Sequence, residues 1–159
     1  MTHRTALAIV LACLASLLVG APSASADDTS VGGRGVVDRL WFDNQQERLV
    51  VRVFAPGGRC AVDSVSVRFR DRDGTKYRLA GTCVSRDPDQ WTTRLSRGSR
   101  AVQCDQMKLV FKPSGGFWRG VVNRDCLRRL GNKVRVLSAR VDTGTSVGKA
   151  GPTRYVARG

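Results

Sequence analysis

Apolar and polar residues alternate most cleanly between Ser64 and Cys83 (SVSVRFRDRDGTKYRLAGTC). Val65, Val67 and Phe69 alternate with Ser66, Arg68 and Arg70, a period of two that predicts a strand. Beyond a turn, Tyr77 and Leu79 alternate with Lys76 and Arg78. A two-residue loop at Asp73-Gly74 would pair Arg70 with Tyr77 and mix the faces. A three-residue loop, Arg72-Asp73-Gly74, pairs Phe69 with Tyr77 and Val67 with Leu79. It also puts Gly74 where a type I turn with a bulge needs a left-handed residue. The second register is the one predicted, because a one-residue slip would carry the apolar set out of the core. It sets Arg70 opposite Lys76 and Arg68 opposite Arg78. Like charges directly across a sheet repel. This outer face is therefore either relieved by nearby aspartates or built to meet an anion.

The same alternation predicts strands at Val36–Phe42, Arg48–Ala55, Trp91–Leu95, Met107–Lys112, Phe117–Val122 and Lys133–Val141, with an edge strand at Arg154–Arg158. Gly, Pro and Asp punctuate them, and no long helical period occurs. NRDCLRRLGN (Asn123–Asn132) reads as a short helical turn, capped by Asn123 or Asp125 and ended by Gly131. Ser85–Gln90 and the Gly/Thr-rich Asp142–Thr153 read as loops. The expected fold is all-β, an antiparallel β-sandwich of about 8–9 short strands, immunoglobulin-like or similar. Trp41, Trp91 and Trp118 fall at strand positions where burial is the expectation.

Upstream, Arg4, the apolar run Ala6–Gly20 and the small-x-small sequence Ala24-Ser25-Ala26 match a secretory signal peptide over residues 1–26. Val10-Leu11-Ala12-Cys13 also fits a lipid-attachment box, but the apolar run continues past Cys13. That run is shorter than the ~20 residues a membrane span needs, so no integral membrane segment is expected after signal removal. Residues 27–35 (DDTSVGGRG) read as a flexible leader, and residues 36–159 as one domain. The expected location is outside the cell, in solution or on the cell wall.

The chain carries 27 Lys and Arg against 13 Asp and Glu. Signal removal takes away only Arg4 and leaves a net charge of +13. An exported protein so basic is drawn to anionic polymers such as teichoic acid, acidic polysaccharide or nucleic acid. Candidate anion-binding residues fall in two groups. One is the hairpin face, Arg68, Arg70, Lys76 and Arg78; the other is Arg124, Arg128 and Arg129, with Arg119 nearby.

Four cysteines follow the signal: Cys60, Cys83, Cys104 and Cys126. An even number in an exported chain predicts two disulfides, and three pairings are open. Cys60–Cys83 with Cys104–Cys126 is favoured, because each pair brackets one hairpin near its open end. On the chain-entropy estimate each bridge would contribute ~3 kcal/mol. Zinc is disfavoured, since it wants short CxxC spacings.

Catalysis has little to work with. The one histidine, His3, lies in the signal. That removes the usual general base and every histidine metal site. Glu47 is the one glutamate, and Asp63, Asp87, Asp105 and Asp125 are carboxylate candidates by elimination only. The Asp pairs flanking Pro88 and Arg72 suit turns as well as calcium and match no full calcium loop. No enzyme activity, cofactor or metal is expected. Binding remains, and the protein is expected to be a monomer. The alternative is a secreted inhibitor or protein-interaction module acting through Ser85–Gln90 or the loop near Lys149.

KYRLAGTC (Lys76–Cys83), MKLVF (Met107–Phe111), NRDCLRRLG (Asn123–Gly131) and KVRVLSARV (Lys133–Val141) together resemble small secreted β-rich bacterial proteins of unknown function. The resemblance covers about half of the mature chain. It implies export and an all-β fold, and no activity. The apoproteins that carry enediyne antibiotics are similar in size and disulfide count, but they close one pair over a short loop, unlike the even spacing here.

Overall fold

The computed structural model describes residues 28–86 and 89–159. The expected signal peptide lies outside the described residues, as do Asp87 and Pro88 at the tip of the Ser85–Gln90 loop. Eleven strands follow in chain order: β1 (Asp28–Arg34), β2 (Arg39–Asn44), β3 (Arg48–Phe54), β4 (Ser64–Asp71), β5 (Lys76–Arg86), β6 (Asp89–Arg97), β7 (Arg100–Val102), β8 (Met107–Lys112), β9 (Phe117–Asn123), β10 (Val134–Asp142) and β11 (Val147–Ala150). They form one antiparallel sheet in the order β7-β6-β5-β4-β10-β11-β1-β2-β3-β9-β8.

The sheet is all-β as expected, but it is one curled sheet of eleven strands, in place of an 8–9-strand sandwich. β1 makes the difference. Asp28–Gly32 pair with β2, while Gly33 and Arg34 pair with β11. One strand thus joins both halves of the sheet. The segment expected to be a flexible leader is this strand. Its sequence has little apolar alternation, so its order comes from pairing on both sides. Gly33 marks the switch. Its N–H donates to the Asp38 carbonyl at 2.8 Å. A Cβ there would sit 2.1 Å from the Val37 carbonyl oxygen, so the close approach needs glycine.

The two halves turn their apolar faces onto one core. Leu40, Phe42, Val53, Leu109 and Trp118 come from one half, and Val65, Val67, Leu79, Leu95 and Val136 from the other. The far edges meet through tryptophan. Trp91 of β6 stacks on the buried Trp118 of β9, with centroids 4.8 Å apart, and its indole N–H donates to the Leu109 carbonyl of β8 at 3.2 Å. Trp118 donates to the Pro56 carbonyl at 3.2 Å. These two rings meet the expectation of burial in full or in part. Trp41 does not; its side chain lies on the outer face and is half-exposed.

Two disulfides close the loops as favoured, Cys60–Cys83 and Cys104–Cys126, with Cα–Cα distances of 5.0 and 5.5 Å. Arg124–Leu127 forms the short helical turn, a 3-10 turn whose Asp125 N–H is accepted by the Asn123 side chain. Gly131 does not end it; its N–H donates instead to Asp71 at 2.9 Å. The expected edge strand at Arg154–Arg158 is reduced to a single bridge, Val134 to Val156. Pro152, just before it, has no N–H with which to extend a ladder. The Gly/Thr-rich segment holds β11.

Candidate anion-binding face

The β4–β5 hairpin has the register read from its alternation. Phe69 faces Tyr77 and Val67 faces Leu79, so Arg70 faces Lys76 and Arg68 faces Arg78. Gly74 takes a φ of 92° in the turn. The Asp71 carboxylate accepts the Thr75 N–H at 2.7 Å and locks the turn's exit. Four cations therefore occupy outward positions of two neighbouring strands.

Neighbouring strands extend the patch. β10 sets Arg135 beside Arg70 and Arg140 beside Ser66. β11 sets Lys149 beside Arg140, and β1 sets Arg34 beside Lys149. On the other side, β6 sets Arg94 beside Ala80. Nine cations thus share one outer face. Strict alternation would send Arg135 and Arg140 to opposite sides. A register shift between Val136 and Ser138 inserts one extra residue and turns both outward. Val134 and Val136 point inward before the shift, and Ala139 and Val141 point inward after it. That phase slip was the signal in KVRVLSARV that would have revealed Arg135 and Arg140.

Among the described residues, aspartate relieves this face at one cation, Arg140. Asp71 is buried, and its oxygens are occupied by the backbone N–H groups of Thr75 and Gly131. Among the described residues there are two ion pairs, Arg86–Asp63 and Arg140–Asp142. Of the described carboxylates, Asp142 alone lies on the face. It accepts the Gly144 N–H at 3.0 Å and Arg140 Nη2 at 3.1 Å. Those two bonds, the backbone one first, hold its carboxyl below the usual carboxylate range. Arg68, Lys76, Arg78, Arg94, Arg140, Lys149 and Arg34 are exposed. Arg70 and Arg135 are half-buried around Tyr155: Arg70 Nη2 donates to the Tyr155 hydroxyl at 3.4 Å, and the Arg135 guanidinium lies 4.8 Å from the ring centroid. The Nε groups of Arg70 and Arg135 are buried without a partner.

The second predicted group does not gather at one place. Arg124 is half-buried; it donates to the Asn44 side chain and, at 3.4 Å, to the Gly131 carbonyl. Burial first, and Arg158 second, lower its pKa to about 10, so it stays charged at neutral pH while being spent inside the fold. Arg119 lies on the opposite outer face, beside Arg52. Arg128 and Arg129 are exposed and line an open hollow of about 590 Å³ with Arg97, Arg100, Asp105 and Asp125, next to the Cys104–Cys126 disulfide.

The alternative loop sites also change. Ser85 pairs with Gln90 and Arg86 with Asp89, so the described residues of that segment belong to β5 and β6 and not to a loop. Lys149 lies in β11 on the basic face, not in a loop. Asp63 is paired with Arg86 at 2.6 Å, and Asp105 and Asp125 sit on the rim of the hollow. Among the described residues, no group of three His, Cys, Asp or Glu side chains could hold a metal, and no helix is long and apolar enough to cross a membrane. The geometry defines an all-β, disulfide-bonded protein with an extended cationic sheet face. No family model, no curated protein and no solved structure matches the chain.

Proposed function

We propose that this is an exported, non-catalytic basic protein that associates with anionic polymers of the cell surface or its surroundings. The observation that carries the proposal is the outer face of β6-β5-β4-β10-β11-β1, where, among the described residues, nine cations share a single carboxylate. Facing like charges raise the energy of the folded state. A polyanion laid across the strands lowers it, and each phosphate or carboxylate can take a guanidinium fork. Two disulfides fit an oxidising compartment and support export.

The test is co-sedimentation of the mature protein with isolated bacterial cell walls, intact or stripped of anionic polymer. Binding is expected to vanish on stripping and to fall steeply with salt, since the screening length shrinks from about 10 Å at 0.1 M to about 3 Å at 1 M. Replacing Arg68 and Arg78 by Glu is expected to weaken retention more than the same change at Arg128 and Arg129. Equal losses would mean that net charge alone acts, and binding indifferent to stripping would rule out the basic face as the binding surface.

A further inference from the structure

The other outer face, on β2-β3-β9-β8, has a different chemistry. One cross-strand row reads Trp41, Arg52, Arg119, Val110. The next reads Arg39, Phe54, Phe117, Lys112. Three aromatic rings thus lie half-exposed on the solvent side of a sheet whose core is on the other side. They are interleaved with arginine. The Arg39 guanidinium lies 4.2 Å from the Phe54 ring centroid. Arg52 lies 4.4 Å from Trp41 and 5.4 Å from Phe117. The Phe54 and Phe117 ring centroids are 5.2 Å apart with their planes tilted by 50°, and Asp28 accepts the Trp41 indole N–H at 2.8 Å. The Nε of Arg52 is buried without a partner.

We infer that this face binds single-stranded nucleic acid by stacking its bases on the arginine–aromatic ladder. The cations require an anionic partner. The make-up of the ladder narrows the choice: the Arg39 and Arg52 guanidinium groups lie over Phe54 and Trp41, so the half-exposed surface joins arginine to aromatic rings and is cationic. Nucleobases stack on guanidinium and aromatic planes, whatever their sequence. A saturated sugar ring has no such plane and would need the aromatic faces bare. Lys108 and Lys112 on β8 lie along the edge where phosphates would run. A duplex hides its base faces, so an unpaired strand is the fitting form. These side chains differ from those of the proposed function, so either assignment can fail alone.

The experiment titrates the mature protein with a short oligothymidylate and with an abasic strand of equal length and charge, reading tryptophan fluorescence and anisotropy. The oligothymidylate is expected to bind about tenfold tighter than the abasic strand and to quench fluorescence. Trp41→Ala should collapse that ratio toward one, and Trp41→Phe should keep most of it while losing the quench. Phe117→Ser provides a second variant should Trp41→Ala melt early. Arg68→Glu with Arg78→Glu is expected to weaken both strands alike and leave the ratio intact. Equal affinities for the two strands in the unmodified protein, or a ratio that survives both ring substitutions, would overturn the inference. Heparin that binds as tightly as oligothymidylate and quenches equally would reassign the face to acidic polysaccharide, and so overturn it too.

Discussion

Among the described residues Asp142 is the one carboxylate on a face of nine cations, and it is held there by a backbone N–H as well as by Arg140. Its carboxyl titrates below the usual range, so its bonds are complete at neutral pH and are lost as the pH falls through that lowered value. Asp142→Asn is expected to raise the salt concentration that elutes the protein from a phosphate resin at pH 7. The difference should close in acid, where both proteins are neutral at this position. An unchanged elution at pH 7 would place the polymer elsewhere. Arg124 illustrates the opposite lesson. In the sequence it stands beside Arg128 and Arg129 as one basic cluster, yet it is half-buried and bonded to Asn44 and Gly131. Spacing alone does not separate an arginine that caps internal carbonyls from one that faces solvent.

At the scale of elements, β1 is the most exposed to a single change. A side chain at Gly33 would meet the Val37 carbonyl oxygen at 2.1 Å. Gly33→Val is therefore expected to cost several-fold more stability than Gly32→Val, whose added Cβ meets nothing within 4 Å. Urea midpoints of the two variants measure this, and equal midpoints would show that β1 tolerates a different bend. The β4–β5 hairpin was legible in the sequence down to its register, because a buried face, a turn glycine and a fixed loop length all select the same pairing. β1 was not, because Asp28–Arg34 is polar and glycine-rich, and its order comes from pairing with the neighbouring β2 over Asp28–Gly32 and with the distant β11 at Gly33 and Arg34. The bulge in β10 hid Arg135 and Arg140 for a related reason: strict alternation splits them, and the extra residue reunites them. Trp41 was misplaced because size and apolarity predict burial, while the cover it receives is Arg52.

For the whole molecule, both outer faces are cationic and only two ion pairs join described residues. Repulsion between like charges should therefore outweigh attraction in the folded state. Sodium chloride is expected to raise the melting temperature between low and physiological ionic strength, because screening weakens the many repulsions more than the few attractions. A soluble polyanion should raise it further by binding the folded state. Melting that falls with salt would mean that attractive pairs dominate.

β1 sits within the sheet, with β11 on one side and β2 on the other. The hydrogen bonds between Gly33–Arg34 and Lys149–Ala150 join residues more than a hundred positions apart. Closing so wide a loop is slow and gains nothing until the distant partner arrives. The half built on β2, β3, β9 and β8 needs no residue beyond Asn123 for its strand pairing, whereas β1 stays unpaired along one edge until Ala150 has emerged. β1 is thus the seam of the sheet: its pairing with β2 is local, its pairing with β11 waits for the far end of the chain, and the first described strand is completed by the last.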